Sequence, residues 1–208
     1  MNGLKAKKIA IVISLFTCLN VGISYAGAAG KFKDLDIASI FFNGRELSFK
    51  QDDVPALNVD GTVLVPVEAI AEKANLLAIP DPDSGTTKLY KPNVHMIFGL
   101  GESKDGKGIR DLFGKVKKGV PIDFSVFVQV DNLIPAIRSV KLDMVDSAGN
   151  KVVSSKEYVL PGKEDFWYTW ELNHVVLNYT GKYTVRFLGK LDSDNTYHVL
   201  SEKNLVCE

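Results

Sequence analysis

The chain has 208 residues, with 25 basic and 25 acidic side chains, three histidines and two cysteines. That balance excludes the basic footprint of a nucleic-acid binder, so no nucleic-acid partner is expected. Two cysteines are too few for a disulfide-stapled fold, and the length suffices for one large or two small cores.

Lys5, Lys7 and Lys8 precede a short apolar run, Ile9–Ile23, and Ser24-Tyr25-Ala26 offers small residues at the −3 and −1 positions of a cleavage site. Residues 1–26 therefore read as a signal peptide. Cleavage is expected after Ala26, with Ala28 or Ala29 as neighbouring options. The run is too short for a comfortable bilayer span, so no stable membrane span is expected after cleavage. Leu15-Phe16-Thr17-Cys18 approaches a lipoprotein box, but threonine before the cysteine fits poorly and lipidation at Cys18 is not expected. Cleavage leaves 22 basic against 25 acidic residues. The remaining cysteine, Cys207, lies beside the C-terminus, where the expectation is a free thiol on a frayed end, with pairing between chains as the alternative.

Ile37–Phe42 reads as a strand, with Ile40 and Phe42 inward. Asn43-Gly44 is the strongest hairpin signal in the chain, and Glu46–Lys50 returns with Leu47 and Phe49 on one face. Asp60-Gly61 is a second tight turn, followed by a β-branched strand at Thr62–Val65. Pro66 fits the first turn of a helix. Val67, Ile70, Ala71, Ala74 and Leu77 then recur at helical spacing as one buried stripe. Leu77–Ile79, Thr86–Tyr90 and Asn93–Phe98 add short strands, separated by a breaker-rich turn at Asp81–Gly85. One helix against about five antiparallel strands is a small α+β domain.

Asn43–Phe49, Pro55-Ala56-Leu57 and Gly61–Ala71 resemble the copper amine oxidase N-terminal-like domain, over about residues 36–98. Two departures stand out. Glu68 replaces the usual arginine, and Asn75 stands near the usual glycine. The resemblance implies a stalk-type, non-catalytic module of secreted and surface proteins of Gram-positive bacteria, without copper catalysis.

Residues 99–115 are rich in glycine and charge and read as a linker. From Val116 the period is two. Ile122, Phe124, Val126, Val128 and Val130 share one face, and Val140, Leu142 and Met144 repeat the pattern. Phe166, Tyr168, Trp170 and Leu172 form an aromatic strand face, then Tyr183, Val185 and Phe187 alternate, and Thr196–Leu200 and Asn204–Cys207 make two last strands. Evenly spaced strands with turns between them predict a β-sandwich over residues 116–208. Asn178–Val185 resembles the Gly-x-Tyr strand of immunoglobulin-like modules.

The sequence offers weak chemistry. Gly101-x4-Gly106-Lys107 has the glycine and lysine spacing of a phosphate loop, but Gly108 stands where a hydroxyl should bind magnesium. His95, His174 and His198 stand alone, whereas copper sites gather imidazoles. Asn178-Tyr179 echoes a quinone-forming tyrosine, but Thr180 replaces the acid that should follow. Asp81-x-Asp83-x-Gly85 and Asp192-x-Asp194-Asn195 could seed calcium loops, yet Pro92 and Lys203 stand where the closing acid belongs, and Asx-turns explain both. No catalytic residue, cofactor or metal ligand is assigned. The candidate binding surface is Trp167 with Thr169, which point opposite to Phe166, Tyr168 and Trp170. The expectation is an exported, non-enzymatic binding or structural protein, associated with the cell wall and contacting wall polymer or an envelope protein. The alternative is an enzyme accessory, inhibitor or hydrolase with a site between the two modules.

Overall fold

The computed structural model describes residues 30–50, 53–106, 108–134, 137–160, 162–192 and 195–208. The expected leader, Cys18, Lys107 and Asp194 lie outside the described residues.

The chain begins with short strands: β1 (Lys31–Phe32), β2 (Leu35–Ile37), β3 (Phe41–Phe42), β4 (Arg45–Glu46), β5 (Leu57–Val59) and β6 (Thr62–Leu64). Helix α1 (Val67–Ala74) follows, then β7 (Leu77–Asp81) and β8 (Thr86–Tyr90). Both tight turns form as expected. Asn43 and Gly44 have φ of 51° and 75°, and Asp60 and Gly61 have 50° and 79°. Positive φ at both central residues is what a type I′ hairpin requires. Pro66 caps the helix start, and Asn75 ends it in the left-handed conformation, its N–H donating to the carbonyls of Ala71 and Glu72. Asparagine tolerates that conformation better than most residues, so it serves where glycine is usual.

The single sheet expected for this region is not there. Its strands fall into three groups: β1-β2-β5-β6, the β3–β4 hairpin and the β7–β8 hairpin. The predicted strand Ile37–Phe42 breaks at Ala38-Ser39-Ile40, where Ala38 N–H donates to Ala56 O at 2.8 Å and the chain leaves the first sheet. Few apolar side chains hold the region. Leu47, Ala56 and Ala71 are buried, while Phe41, Val63 and Leu64 remain exposed, and the buried Leu77 of β7 joins the core cluster of the later strands, with Ile79 and Tyr90 packed against it. Two- and three-residue strands bury too little to align one sheet under a helix.

The rest is a sandwich. Its strands are β9 (Asn93–Gly99), β10 (Lys115–Val116), β11 (Ile122–Asp131), β12 (Ile137–Val145), β13 (Lys151–Ser154), β14 (Tyr158–Val159), β15 (Phe166–Val175), β16 (Gly181–Leu191) and β17 (Tyr197–Cys207). One sheet has the order β15-β11-β9, and the other β10-β17-β16-β12-β13, with β14 also on β12. Consecutive strands β11 and β12 lie in different sheets, as do β15 and β16, so the hydrophobic faces of both sheets close on one core. Phe124, Val126, Val128 and Val130 meet Val140, Leu142, Met144, Val185 and Phe187 in a single buried cluster. This alternation of sheets is the immunoglobulin-like arrangement, in which β15-β11-β9 faces β17-β16-β12. The hydroxyl of Tyr183, near the start of β16, donates to Tyr179 O and accepts from Tyr179 N–H, both at 3.2 Å. That is the tyrosine corner of such sandwiches.

Three expectations change here. Asn93–Phe98, expected to close the first module's sheet, pairs with β11 instead. Its alternating Val94, Met96 and Phe98 find more apolar partners on the sandwich than the small sheets offer. The segment expected to be a linker is built in. Phe113 packs against Phe98 and Phe124 with ring centroids 6.1 and 5.6 Å away, Glu102 bridges Ile109, and β10 pairs in parallel with β17. Finally, Thr196–Leu200 and Asn204–Cys207 are parts of one strand, with an irregular register at Phe187/Leu188 absorbing the break in alternation. Cys207 is consequently not on a frayed end. It is 2% exposed, because Glu208 N–H bonds Val116 O and holds the terminus against β10.

Candidate functional site

Strand β15 is the outer strand of the three-stranded sheet, and its alternation sorts its side chains cleanly. Phe166, Trp170 and Leu172 point into the core, whereas Trp167, Thr169, Glu171 and Asn173 are exposed on the outer face. Trp167 is 66% exposed. Registers across the sheet extend this into rows. Trp167 lies opposite Gln129, and Gln129 opposite His95; beside that row, Asp131 lies opposite Asn93. Gln129 Nε2 donates to both carboxylate oxygens of Asp131, at 3.3 and 3.1 Å. Since a carboxylate can only accept, this fixes which side of the amide is nitrogen and turns the carbonyl oxygen away from Asp131.

Toward the other end of the same face the middle strand is covered, while β15 stays exposed. Thr169 lies opposite Phe127, and Glu171 opposite Ser125; Phe127 and Ser125 are both buried. The loop between β9 and β10 folds over them. Leu100 N–H donates to Arg110 O and Arg110 N–H to Gly101 O, which brings Ile109 and the Phe127 ring against Gly99. Trp167 and Thr169 thus stand side by side, with Thr169 at the border between the open and covered parts.

The opposite sheet carries a polar cluster that the sequence did not reveal. The buried Ser139 hydroxyl donates to Glu157, and the Tyr197 hydroxyl also bonds Glu157. Lys141 Nζ and Lys190 Nζ lie 3.7 and 5.1 Å from the Tyr197 ring centroid. Hydrogen bonds from Ser139 and then Tyr197 hold the Glu157 carboxyl below its ordinary pKa. Burial, and then the bond to Glu157, push the Tyr197 hydroxyl up. A carboxylate held ionised in this way is a poor general base for the serine it touches. The cluster works as a cross-link between β12, β17 and the segment that leads into β14. Beside it, Arg186 makes a two-pronged pair with the buried Asp143, at 2.8 and 2.7 Å, which raises the guanidinium pKa further.

The remaining sequence candidates are not brought together. Ser103–Gly106 forms a turn, with Gly106 N–H donating to Ser103 O, rather than the strand-to-helix junction a phosphate loop needs. His174 sits at φ 56° with its N–H on Asp123, while His95 belongs to the outer face of the other edge strand. Asp81 accepts from Ser84 N–H, three residues on, at 3.3 Å, so its carboxylate is used within the turn. Among the described residues no group of three or more histidine, cysteine, aspartate or glutamate side chains is gathered as a metal site would need. Between the first region and the sandwich runs a cleft of about 580 Å³, lined by Arg45, Ser48, Lys182, Thr184, Glu202 and Asn204. The groups with shifted pKa values are not on it, but Tyr197 lines a second cleft of about 420 Å³ between α1, β7 and β17, together with Glu68, Glu72 and His198. Among the described residues no helix is long and apolar enough to cross a membrane.

Neither a known protein family nor a curated protein matches the sequence. Among solved structures the chain is similar to an immunoglobulin-like protein from Pseudomonas aeruginosa, at 15% identity and a TM-score of 0.32, covering 57% of this chain and 98% of that one. It is also similar to a β-glucosidase from Listeria innocua, at 12% identity and a TM-score of 0.29, covering 59% of this chain and 17% of that one. With likenesses this low, the fold rests on the strand pairing itself.

Proposed function

We propose that the chain is an exported, non-enzymatic binding module of the bacterial cell surface. It contacts wall polymer or an envelope protein through the outer face of the β15-β11-β9 sheet. The observation that carries the reading is Trp167, two-thirds exposed on an otherwise polar part of the face, in register with Gln129 and His95. An indole left in water on a rigid strand is a large apolar surface that a partner can cover with little loss of side-chain freedom. The leader, the stalk-type resemblance of the first module and the lack of an assigned nucleophile or acid–base pair support the same reading.

The test is retention of the mature chain, residues 27–208, on purified cell walls, beside Trp167→Ala. Loss of retention in the variant supports the face. Equal retention moves wall binding elsewhere on the molecule. No retention of either protein sinks the wall-polymer reading and directs the search to a protein partner.

A further inference from the structure

We propose that the outer face binds an uncharged glycan chain that runs across the strands, from Trp167 over Gln129 to His95. This inference rests on the reading of that face as the binding surface. Its first support is geometry. The three side chains stand in register on three adjacent strands, and neighbouring strands are about 4.8 Å apart, so the row is about 10 Å long. That is roughly the span of two pyranose rings laid end to end. A sugar ring presents an apolar C–H face to an aromatic side chain and equatorial hydroxyls around its rim. Trp167 offers the stacking surface at one end of the row. The Gln129 amide, locked by Asp131, offers an oriented acceptor in the middle, and His95 and Asn93 offer polar groups beyond it.

The second support is charge. Strands β9, β11 and β15 contain no lysine or arginine, whereas Asp123, Asp131 and Glu171 lie on them. A phosphodiester wall polymer would meet like charge on this face. Basic groups sit on the other sheet, where Lys141, Arg186 and Lys190 lie. The third support separates glycan from peptide. Among the described residues no strand pairs with the far side of β15, so an extended peptide could add there. Such a peptide would use the edge alone and would not reach His95, two strands away.

The experiment is calorimetric titration of the full mature chain with neutral β-linked gluco- and N-acetylglucosamine oligomers of increasing length, and with poly(glycerol phosphate) as the anionic counterpart. Circular dichroism of each variant confirms folding. The expected result is an affinity that rises at least tenfold from monomer to dimer and then levels off, because the row spans about two pyranose rings. Trp167→Ala abolishes binding, Trp167→Phe keeps part of it, and Gln129→Ala and His95→Ala each weaken it several-fold. Lys182→Ala, outside the face, leaves it unchanged. Trp167-dependent wall retention without binding of any neutral oligomer overturns the glycan and leaves the face, pointing to a protein partner. Binding that needs Trp167 but ignores both Gln129 and His95 overturns the crossing orientation. Equal or tighter binding of the anionic polymer overturns the charge argument. Wall retention indifferent to Trp167→Ala removes the face, and the glycan with it.

Discussion

Tyr183→Phe removes one hydroxyl and leaves the ring, so it isolates the corner that fixes the start of β16. The hydroxyl makes two hydrogen bonds to the backbone of Tyr179, each 3.2 Å long. A net hydrogen bond is worth about 0.5–1.5 kcal/mol. The larger penalty for a stranded buried group does not apply, because Tyr179 is 72% exposed and water can reach the backbone groups left behind. The loss should therefore be about 1–2 kcal/mol. For chains of this size that lowers Tm by about 2–8 °C. Tyr183→Ala also empties a site whose ring is 3% exposed, and should cost about 3–5 kcal/mol. Tyr179→Ala keeps the backbone partners and should change little. Thermal and urea unfolding followed by circular dichroism measure all three. A Tyr183→Phe chain as stable as the wild type, beside a strongly destabilised Tyr183→Ala, would refute the claim that the corner's hydrogen bonds, and not only its ring, hold the β15–β16 turn.

Gly99→Ala would put a Cβ 2.4 Å from Ile109 Cγ2 and 3.0 Å from Arg110 O. The expected result is a loss of about 1–3 kcal/mol and faster tryptic cleavage in the loop between β9 and β10, with equal cleavage rates counting against the packed loop. The Cys207 thiol, buried beneath the terminus, should resist a thiol reagent in the native protein and react fully in denaturant; reaction at the rate of a free peptide thiol in buffer would disprove that packing. Acid should weaken the fold through Asp146 and Glu157. Asp146 is held below its ordinary pKa chiefly by the Asn150 side chain, and Glu157 chiefly by Ser139. A depressed carboxylate contributes stability above its unfolded pKa, near 4, and loses it as pH falls through the lower folded value. Urea midpoints measured from pH 5 down to pH 2 should fall in the wild type and fall less in Asn150→Ala; identical profiles would remove Asn150 as the cause.

The sandwich was largely legible because its inner faces follow a period of two almost unbroken. Phe124, Val126, Val128 and Val130 are inward because any one-residue slip would put them all in water. The Asn43-Gly44 and Asp60-Gly61 turns and the Pro66 helix start were legible for local reasons, since backbone geometry at those positions depends on few neighbours. The partner of Asn93–Gly99 was not legible. Alternation places Met96 and Phe98 on one face but does not say which sheet they join, and strand choice is decided by long-range packing. That miss hid half of the candidate site, because His95 enters the row with Gln129 and Trp167 only once β9 pairs with β11. Cys207 was misjudged for a similar reason. Position near a terminus suggests fraying, but a parallel contact with β10 far back in the chain reverses it.

The outer face of β15-β11-β9 is divided by its own loop, and that division is informative. Covering apolar surface stabilises a fold by about 25 cal/mol per Å², and the loop after β9 brings Ile109 onto Gly99 beside the Phe127 ring. The same face carries a larger apolar side chain, Trp167, one row toward the start of β15, and the loop does not extend over it. The polar residues gathered there, Gln129 held by Asp131 and His95 beyond, are of little use for packing and well suited to hydrogen bonding from a rigid surface. A scaffold shaped by stability alone would place a threonine or lysine at position 167, since an exposed edge strand with an indole invites unwanted association. Keeping the tryptophan bare beside a fixed amide therefore favours a surface kept open for a ligand over an outer face that merely escaped coverage.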